Sequence, residues 1–167
     1  PGVRRNRVVT DSFEPGSNFK AINAAAVIDE QLANMHTPFF CENGSFVLTN
    51  GDTIRDVSKH GWLDMREVLA KSSNIGTMKL ARLLSRPNYY EYLRNFGFGT
   101  RTGIDLPAES AGLLRHARDW SDRSLETIAI GQEVSVTALQ LTQAFGAIAN
   151  GGLLMSPRIV RDGEDVN

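Results

Sequence analysis

The chain has 167 residues, of which 41% are hydrophobic and 22% are charged, and its formal net charge is -1. This length fits one domain with a substantial core, and the near-neutral charge provides no electrostatic basis for binding nucleic acid or an anionic membrane. We expect no transmembrane span, because the sequence contains no apolar run of about 18 residues.

The composition gives little basis for metal or disulfide chemistry. Cys41 is the single cysteine, so neither an internal disulfide nor a multi-cysteine metal site can form. The three histidines, His36, His60 and His116, are scattered and form no paired ligand motif. We therefore expect neither a metal ion nor another cofactor.

The first predicted element is a buried helix after the break at Pro15-Gly16. Ser17 opens it, an apolar stretch with three consecutive alanines follows, and Lys20 lies one turn after Ser17. Residues three apart share a helix face, so an amine lies beside a hydroxyl at the positive end of the helix dipole. A serine becomes nucleophilic when a neighbouring base takes its proton, and a neutral lysine can be that base.

The same residues also have a purely structural interpretation. Ser17 can cap the helix and Lys20 can lie on a solvated face, because Ser-x-x-Lys occurs by chance in many proteins. The helix is expected to end near residues 31–34, before Thr37-Pro38. A second motif is needed to favour catalysis.

A hairpin and two helices are predicted between residues 44 and 84. Asn50-Gly51, flanked by apolar and β-branched residues, is a strong hairpin signal. Asp64 and Glu67 form a capping box that starts a helix. That helix stops at Ser72-Ser73-Asn74, and a second helix with an apolar stripe follows.

Two more helices are predicted in the second half of the chain. Pro87 suits the first turn of one of them, which Gly97 closes, and a long loop follows. The last helix starts at a capping box of Thr137 and Gln140 and ends at Asn150-Gly151-Gly152. Its expected buried stripe consists of Leu141, Ala144, Phe145 and Ile148.

Taken in order, these segments resemble one family. Residues 5–20, which end in Glu-Pro-Gly-Ser-Asn-Phe-Lys, look like the nucleophile segment of class B penicillin-binding proteins. Residues 54–57 and 68–76 resemble the stretch with that family's Ser-x-Asn motif, residues 96–107 its central loop, and residues 131–152 the run before its third motif. The chain, residues 1–167, is identified as part of a penicillin-binding transpeptidase domain, and its Ser-x-Asn form resembles the division-specific, septal branch.

The resemblance implies a D,D-transpeptidase that cross-links peptidoglycan stem peptides and is acylated by β-lactams. Ser17 would be the nucleophile and Lys20 its general base, while Ser72 would relay protons to the leaving amine. Asn74 would hold Lys20 and the substrate amide. Lys20 must be neutral to act, and a free lysine titrates near about 10.4, so burial and a neighbouring cation must lower its pKa.

The resemblance also implies a cellular setting. The location would be periplasmic, at the extracytoplasmic face of the bacterial inner membrane, with the membrane anchor outside this chain. Other divisome proteins would be partners of the full-length protein.

The expected fold is predominantly α with a small β-hairpin, the helical part of the α/β fold of penicillin-binding proteins and serine β-lactamases. The family's Lys-Thr/Ser-Gly motif is expected after Asn150-Gly151-Gly152, and the sequence does not contain it there. Arg101-Thr102-Gly103 lies within the central-loop match and is rejected as a substitute. We therefore expect this chain to be weakly active or inactive alone. Glu133 occupies a position where we expect a small or apolar residue.

Two other functions remain open. A relative of the serine β-lactamases would share Ser-x-x-Lys and Ser-x-Asn, but it needs a deacylating glutamate near an asparagine in a loop. Glu91 and Asn95 have those residue types but lie in a predicted helix. The third possibility is a non-catalytic helical module that binds division partners, which the missing third motif favours.

Overall fold

The computed structural model describes residues 5–160, in which helices predominate and short strands pair in twos. The helices are α1 (Arg7–Thr10), α2 (Phe19–Asp29), α3 (Met65–Ala70), α4 (Asn74–Ala81), α5 (Arg86–Asn95), α6 (Ser124–Ala129) and α7 (Ala138–Ala149). The strands are β1 (Ser12–Phe13), β2 (Pro38–Phe40), β3 (Ser45–Val47), β4 (Thr53–Arg55), β5 (Trp62–Asp64) and β6 (Val136–Thr137).

Each strand has one antiparallel partner. β3 and β4 form the hairpin predicted around Asn50-Gly51, with Phe46 opposite Ile54. β2 pairs with β5, and β1 pairs with β6. The predominantly helical fold with a small hairpin is therefore confirmed. The β1–β6 pair adds a long-range connection that places the segment before Ser17 beside the segment before α7.

The two predicted capping boxes are confirmed. Asp64 accepts a hydrogen bond from the Glu67 N–H at 2.7 Å, and Glu67 accepts one from the Asp64 N–H at 3.1 Å. Thr137 and Gln140 form the same reciprocal pair at the start of α7. These bonds satisfy N–H groups that a helix start leaves unpaired, so they fix where α3 and α7 begin.

The core lies where α2, α4 and α6 pack against one another. α2 buries Phe19, whose ring lies 4.8 Å from that of Phe98, centroid to centroid. The same helix also buries the side chain of Lys20, which is only 1% exposed. Within residues 5–160, no helix combines the length and the apolarity needed to cross a membrane.

The start and the end of α2 differ from the prediction. Ser17 lies in the 3₁₀ turn Gly16–Asn18 that precedes α2, not in the first turn of the α-helix. The helix ends at Asp29, before the predicted residues 31–34, because Gln31 adopts a left-handed φ of 56° that an α-helix cannot continue.

The buried stripe predicted for α7 is wrong at two of its four positions. Phe145 and Ile148 are 38% and 41% exposed, whereas Ala144 is buried and Leu141 is partly buried against the core. The prediction counted only apolar residues. Gln140 is fully buried because its side chain donates to Thr100 O at 2.7 Å and to Ala111 O at 2.9 Å, and this turns a different face of α7 inward.

Candidate active site

The segment around Ser17 forms a tight turn before α2. Gly16 has a left-handed φ of 56°, and its N–H donates to Gly131 O at 3.0 Å. Ser17 is exposed to solvent, while Lys20 is buried one turn later. The turn therefore presents a hydroxyl to solvent and encloses an amine in protein.

Lys20 Nζ has three hydrogen-bond partners at the junction of α3 and α4. They are Ser72 O at 2.6 Å, Asn74 Oδ1 at 2.7 Å and Ser72 Oγ at 2.9 Å. Asn74 Nδ2 donates to Arg55 O at 2.8 Å, which orients the amide so that its oxygen meets Lys20. A neutral amine has two N–H groups and one lone pair. Two acceptors take the N–H groups, and the lone pair is left for the Ser72 hydroxyl.

Ser72 connects Lys20 to Ser17. Its Oγ lies 2.9 Å from Lys20 Nζ and 3.1 Å from Ser17 Oγ. Ser72 adopts a left-handed φ of 53° at the junction of α3 and α4, which is uncommon for a residue other than glycine. The structure thus brings Ser17, Lys20, Ser72 and Asn74 into one hydrogen-bonded group. Because a hydroxyl both donates and accepts, this group provides a proton path from Ser17 through Ser72 to Lys20.

The lowered pKa of Lys20 helps it to accept a proton along this path. Burial lowers the pKa of Lys20 to about 8, although the Asp56 carboxylate acts in the opposite direction. With this pKa, about one molecule in ten carries a neutral Lys20 at pH 7, compared with about one in 2,500 for a free lysine titrating near 10.4. Burial thus makes a fraction of the Lys20 side chains available as a neutral base at pH 7.

Asp56 holds the segment that contacts Lys20, and the sequence analysis did not select it as a site residue. Its carboxylate accepts from the Asn74 N–H at 2.5 Å, the Ile75 N–H at 3.0 Å and the Ser73 hydroxyl at 2.6 Å. These donors surround the start of α4, where unpaired N–H groups and the helix dipole favour an anion. One signal could have identified Asp56, since it is the acidic residue directly after hairpin strand β4 in the family-like stretch 54–57.

Replacing Asp56 with asparagine is expected to lower the pKa of Lys20 below about 8, because the attraction of the carboxylate for the ammonium form is lost. The variant should also be less stable by about 1.5–3 kcal/mol, the usual contribution of hydrogen bonds to a charged group. NMR titration of labelled lysine side chains measures the first effect, and thermal unfolding measures the second. Asp52→Asn, which removes a carboxylate from the same hairpin, should leave Lys20 unchanged. A titration of Asp56→Asn that moves to higher pH would contradict the assignment.

The residues considered for a β-lactamase and for a substitute third motif lie outside the Ser17 group. Glu91 and Asn95 are both on α5, not in a loop, and neither has a hydrogen bond to the Ser17 group within the described residues. Thr102 lies in the central loop, where its N–H and hydroxyl donate to Glu109 at 2.7 Å and 2.6 Å. Arg101-Thr102-Gly103 is therefore loop structure and not a core strand.

Comparison with known proteins gives consistent results. Residues 2–166 match the family described as penicillin binding protein transpeptidase domain. The chain is 39% identical over 162 residues to penicillin-binding protein PbpB of Mycobacterium tuberculosis, covering 93% of this chain and 23% of that protein. It spans about a quarter of the length of the curated relatives that it matches.

Solved structures show the same relationship. The transpeptidase domain of Burkholderia pseudomallei penicillin-binding protein 3 has a TM-score of 0.92 at 35% identity, with 96% of this chain and 48% of that chain covered. M. tuberculosis penicillin-binding protein 3 complexed with aztreonam has a TM-score of 0.87 at 40% identity, with 93% and 35% covered. Residues 5–160 thus form the helical part of this fold, and the chain belongs to the family of penicillin-binding protein transpeptidase domains.

Proposed function

We propose that the protein containing this chain is a peptidoglycan D,D-transpeptidase that cross-links stem peptides through an acyl-enzyme on Ser17. The single observation that carries this proposal is the hydrogen-bonded connection from Lys20 Nζ through Ser72 Oγ to Ser17 Oγ, in a chain of a transpeptidase family. It combines an exposed nucleophile with a buried base of lowered pKa, which is the pairing that nucleophilic catalysis needs.

The reaction follows from these contacts. Ser17 Oγ attacks the carbonyl carbon of the donor stem peptide while its proton passes through Ser72 to Lys20. The oxyanion of the tetrahedral intermediate accepts a hydrogen bond from the Ser17 N–H, which lies in the 3₁₀ turn before α2. Lys20 then returns the proton through Ser72 to the leaving amine, the amide bond breaks, and the acyl group stays on Ser17. The amine of a second stem peptide then attacks this ester and gives up a proton to Lys20. The proton returns through Ser72 to Ser17 Oγ as the ester C–O bond breaks, which completes the cross-link and frees Ser17.

Asn74 would position the amine and the substrate in this reaction. Its oxygen accepts from Lys20, and one N–H of its amide donates to Arg55 O. The second N–H of the same amide group remains for the substrate carbonyl. Asn74 can thus orient the base and the peptide from one side chain.

We further propose that β-lactams acylate Ser17, since they present a strained amide to the same nucleophile. The solved complex of a similar protein with aztreonam supports this.

We also propose that the protein acts at the extracytoplasmic face of the inner membrane, where a membrane anchor outside residues 1–167 holds it. We assign it to cell division, with other divisome proteins as its partners. The Ser-x-Asn form of the second motif supports the division branch.

Covalent labelling tests the proposal. A fluorescent penicillin should add one acyl group to the protein, and peptide mapping should locate it at Ser17. Ser17→Ala should abolish the adduct, whereas Ser45→Ala, at a hairpin serine outside the site, should keep it. The adduct should persist, because a transpeptidase passes its acyl group to an amine and not to water. A folded protein without an adduct would contradict the proposal and favour a non-catalytic module. Rapid turnover of penicillin would favour a β-lactamase.

A further inference from the structure

Glu133 lies in a loop that contacts the Ser17 turn, and its own backbone is left-handed, with a φ of 56°. A residue with a side chain costs roughly 1–2 kcal/mol in this conformation, and glycine avoids most of that cost. If only the shape of the loop mattered, glycine would serve better. The glutamate side chain must therefore contribute something that offsets the strain.

The carboxylate of Glu133 is fully engaged by the start of α6 and its neighbourhood. It accepts from Thr127 Oγ1 at 2.7 Å and from Ser124 Oγ at 2.8 Å, and it forms ion pairs with Arg115 and Arg123. Burial alone would raise the pKa of Glu133, but these hydroxyl and guanidinium partners lower the pKa overall, so the group is ionised at neutral pH. The side chain thus fastens the loop to α6.

The backbone of the same loop holds the segment just before Ser17 at two points. The Glu133 N–H donates to Glu14 Oε1 at 2.9 Å, and Gly131 O accepts from the Gly16 N–H at 3.0 Å. Glu14 and Gly16 lie on either side of Pro15, so both hydrogen bonds act on one short segment. The position of this segment sets the position of the Ser17 hydroxyl.

We propose that Glu133 is a positioning residue for the nucleophile, because its carboxylate anchors to α6 the loop that holds Glu14 and Gly16. This inference rests on the proposed function only in treating Ser17 as the nucleophile. Glu133 does not contact Lys20 or Ser72 in the described hydrogen bonds, so it acts on the nucleophile and not on the base.

Two measurements on the full-length protein test this role at a temperature well below unfolding. Hydrogen–deuterium exchange of peptides covering residues 14–19 reports the turn, and penicillin acylation kinetics report the nucleophile. Glu133→Ala should raise exchange at the Gly16 amide and slow the first-order acylation step by about tenfold or more, since small displacements of reacting groups have large effects on rate. The dissociation constant of the non-covalent penicillin complex should not change, and the pH midpoint of acylation should stay that of Lys20.

Three variants distinguish the contribution of the Glu133 carboxylate from the effect of its strained backbone. Glu133→Gly relaxes the left-handed strain and removes the carboxylate, so it should show the same losses as Glu133→Ala. Glu133→Gln keeps the hydroxyl contacts and should retain more activity than either. Asp122→Asn, which removes an exposed carboxylate near the start of α6, should match the wild type.

The outcomes distinguish the positioning role of Glu133 from the proposed transpeptidase function. Wild-type exchange and acylation in Glu133→Ala, or full activity in Glu133→Gly, would overturn the positioning role and leave the proposed function intact. Faster exchange of the turn in Glu133→Ala, in a protein that penicillin never acylates, would show that Glu133 anchors the turn but would refute the proposed function, and with it the role of Ser17 as the nucleophile.

Discussion

Lys20→Met is expected to slow the acylation of Ser17 by penicillin by about 10²–10⁴-fold, the usual contribution of a positioned general base. Methionine is unbranched and flexible, so it can fill the space of the buried lysine chain. In the wild type, the acylation rate should rise as the pH increases through about 8, because the neutral form of Lys20 accumulates. Lys20→Met should lack this rise. Stopped-flow acylation between pH 6 and pH 9.5 measures both effects.

Lys20→Arg is the matched control for charge. A guanidinium keeps the positive charge and its donors but stays protonated at all these pH values, so it cannot accept the proton of Ser17. If Lys20 acts as a base, keeping the positive charge gives no benefit, and Lys20→Arg should be as slow as Lys20→Met. An arginine variant with near wild-type rates would show that Lys20 acts only as a cation.

Gly131→Ala should have the largest effect among substitutions outside the Ser17 group. A Cβ at this position would lie 2.1 Å from Gly16 O and 2.5 Å from Gly16 N, so the turn before Ser17 must move. Loss of the nucleophile's geometry should reduce penicillin acylation by about 10²-fold or more. Thermal unfolding should also occur at lower temperature, because the clash and the left-handed φ of 78° both destabilise the folded state.

Gly103→Ala provides the comparison for Gly131→Ala. Gly103 has nearly the same φ, 80°, but no atom lies within 4 Å of a Cβ built there. The Gly103→Ala variant should therefore have the backbone strain without the steric clash, and its acylation rate should stay close to that of the wild type. Equal acylation of the two alanine variants would contradict the role assigned to the contact between Gly131 and Gly16.

Structural features that depend on residues close in sequence were well predicted. The capping boxes of Asp64 and Thr137 and the Asn50-Gly51 hairpin depend on residues within a few positions of each other, and all three occur in the structure. The grouping of Ser17 with Ser72 joins positions 55 apart, and only the family resemblance could suggest it. Periodicity carries no information on such contacts.

Several of the missed features depend on long-range polar contacts. α6 has no clear apolar stripe, yet its six residues are buried, and Glu126 is held there by Arg82 at 2.8 Å. Asp56 looks like an ordinary surface acid in the sequence, and Glu133 stands out there only as a departure from the expected small or apolar residue. Each becomes structural because the fold brings N–H groups, hydroxyls or arginines from distant segments around its carboxylate. A polar residue whose partners are distant in sequence cannot be recognised from its own neighbourhood.

The left-handed backbone of Ser72 limits which substitutions the site can accept under the proposed function. Glycine and asparagine tolerate this conformation, but neither has the hydroxyl that joins Lys20 to Ser17. Threonine has a hydroxyl, but its branched Cβ makes a positive φ costly. The need for a hydroxyl thus excludes glycine and asparagine, and the left-handed backbone disfavours threonine. Of these residues, only serine meets both requirements. A bacterium under β-lactam selection would therefore find few routes to drug resistance at this position.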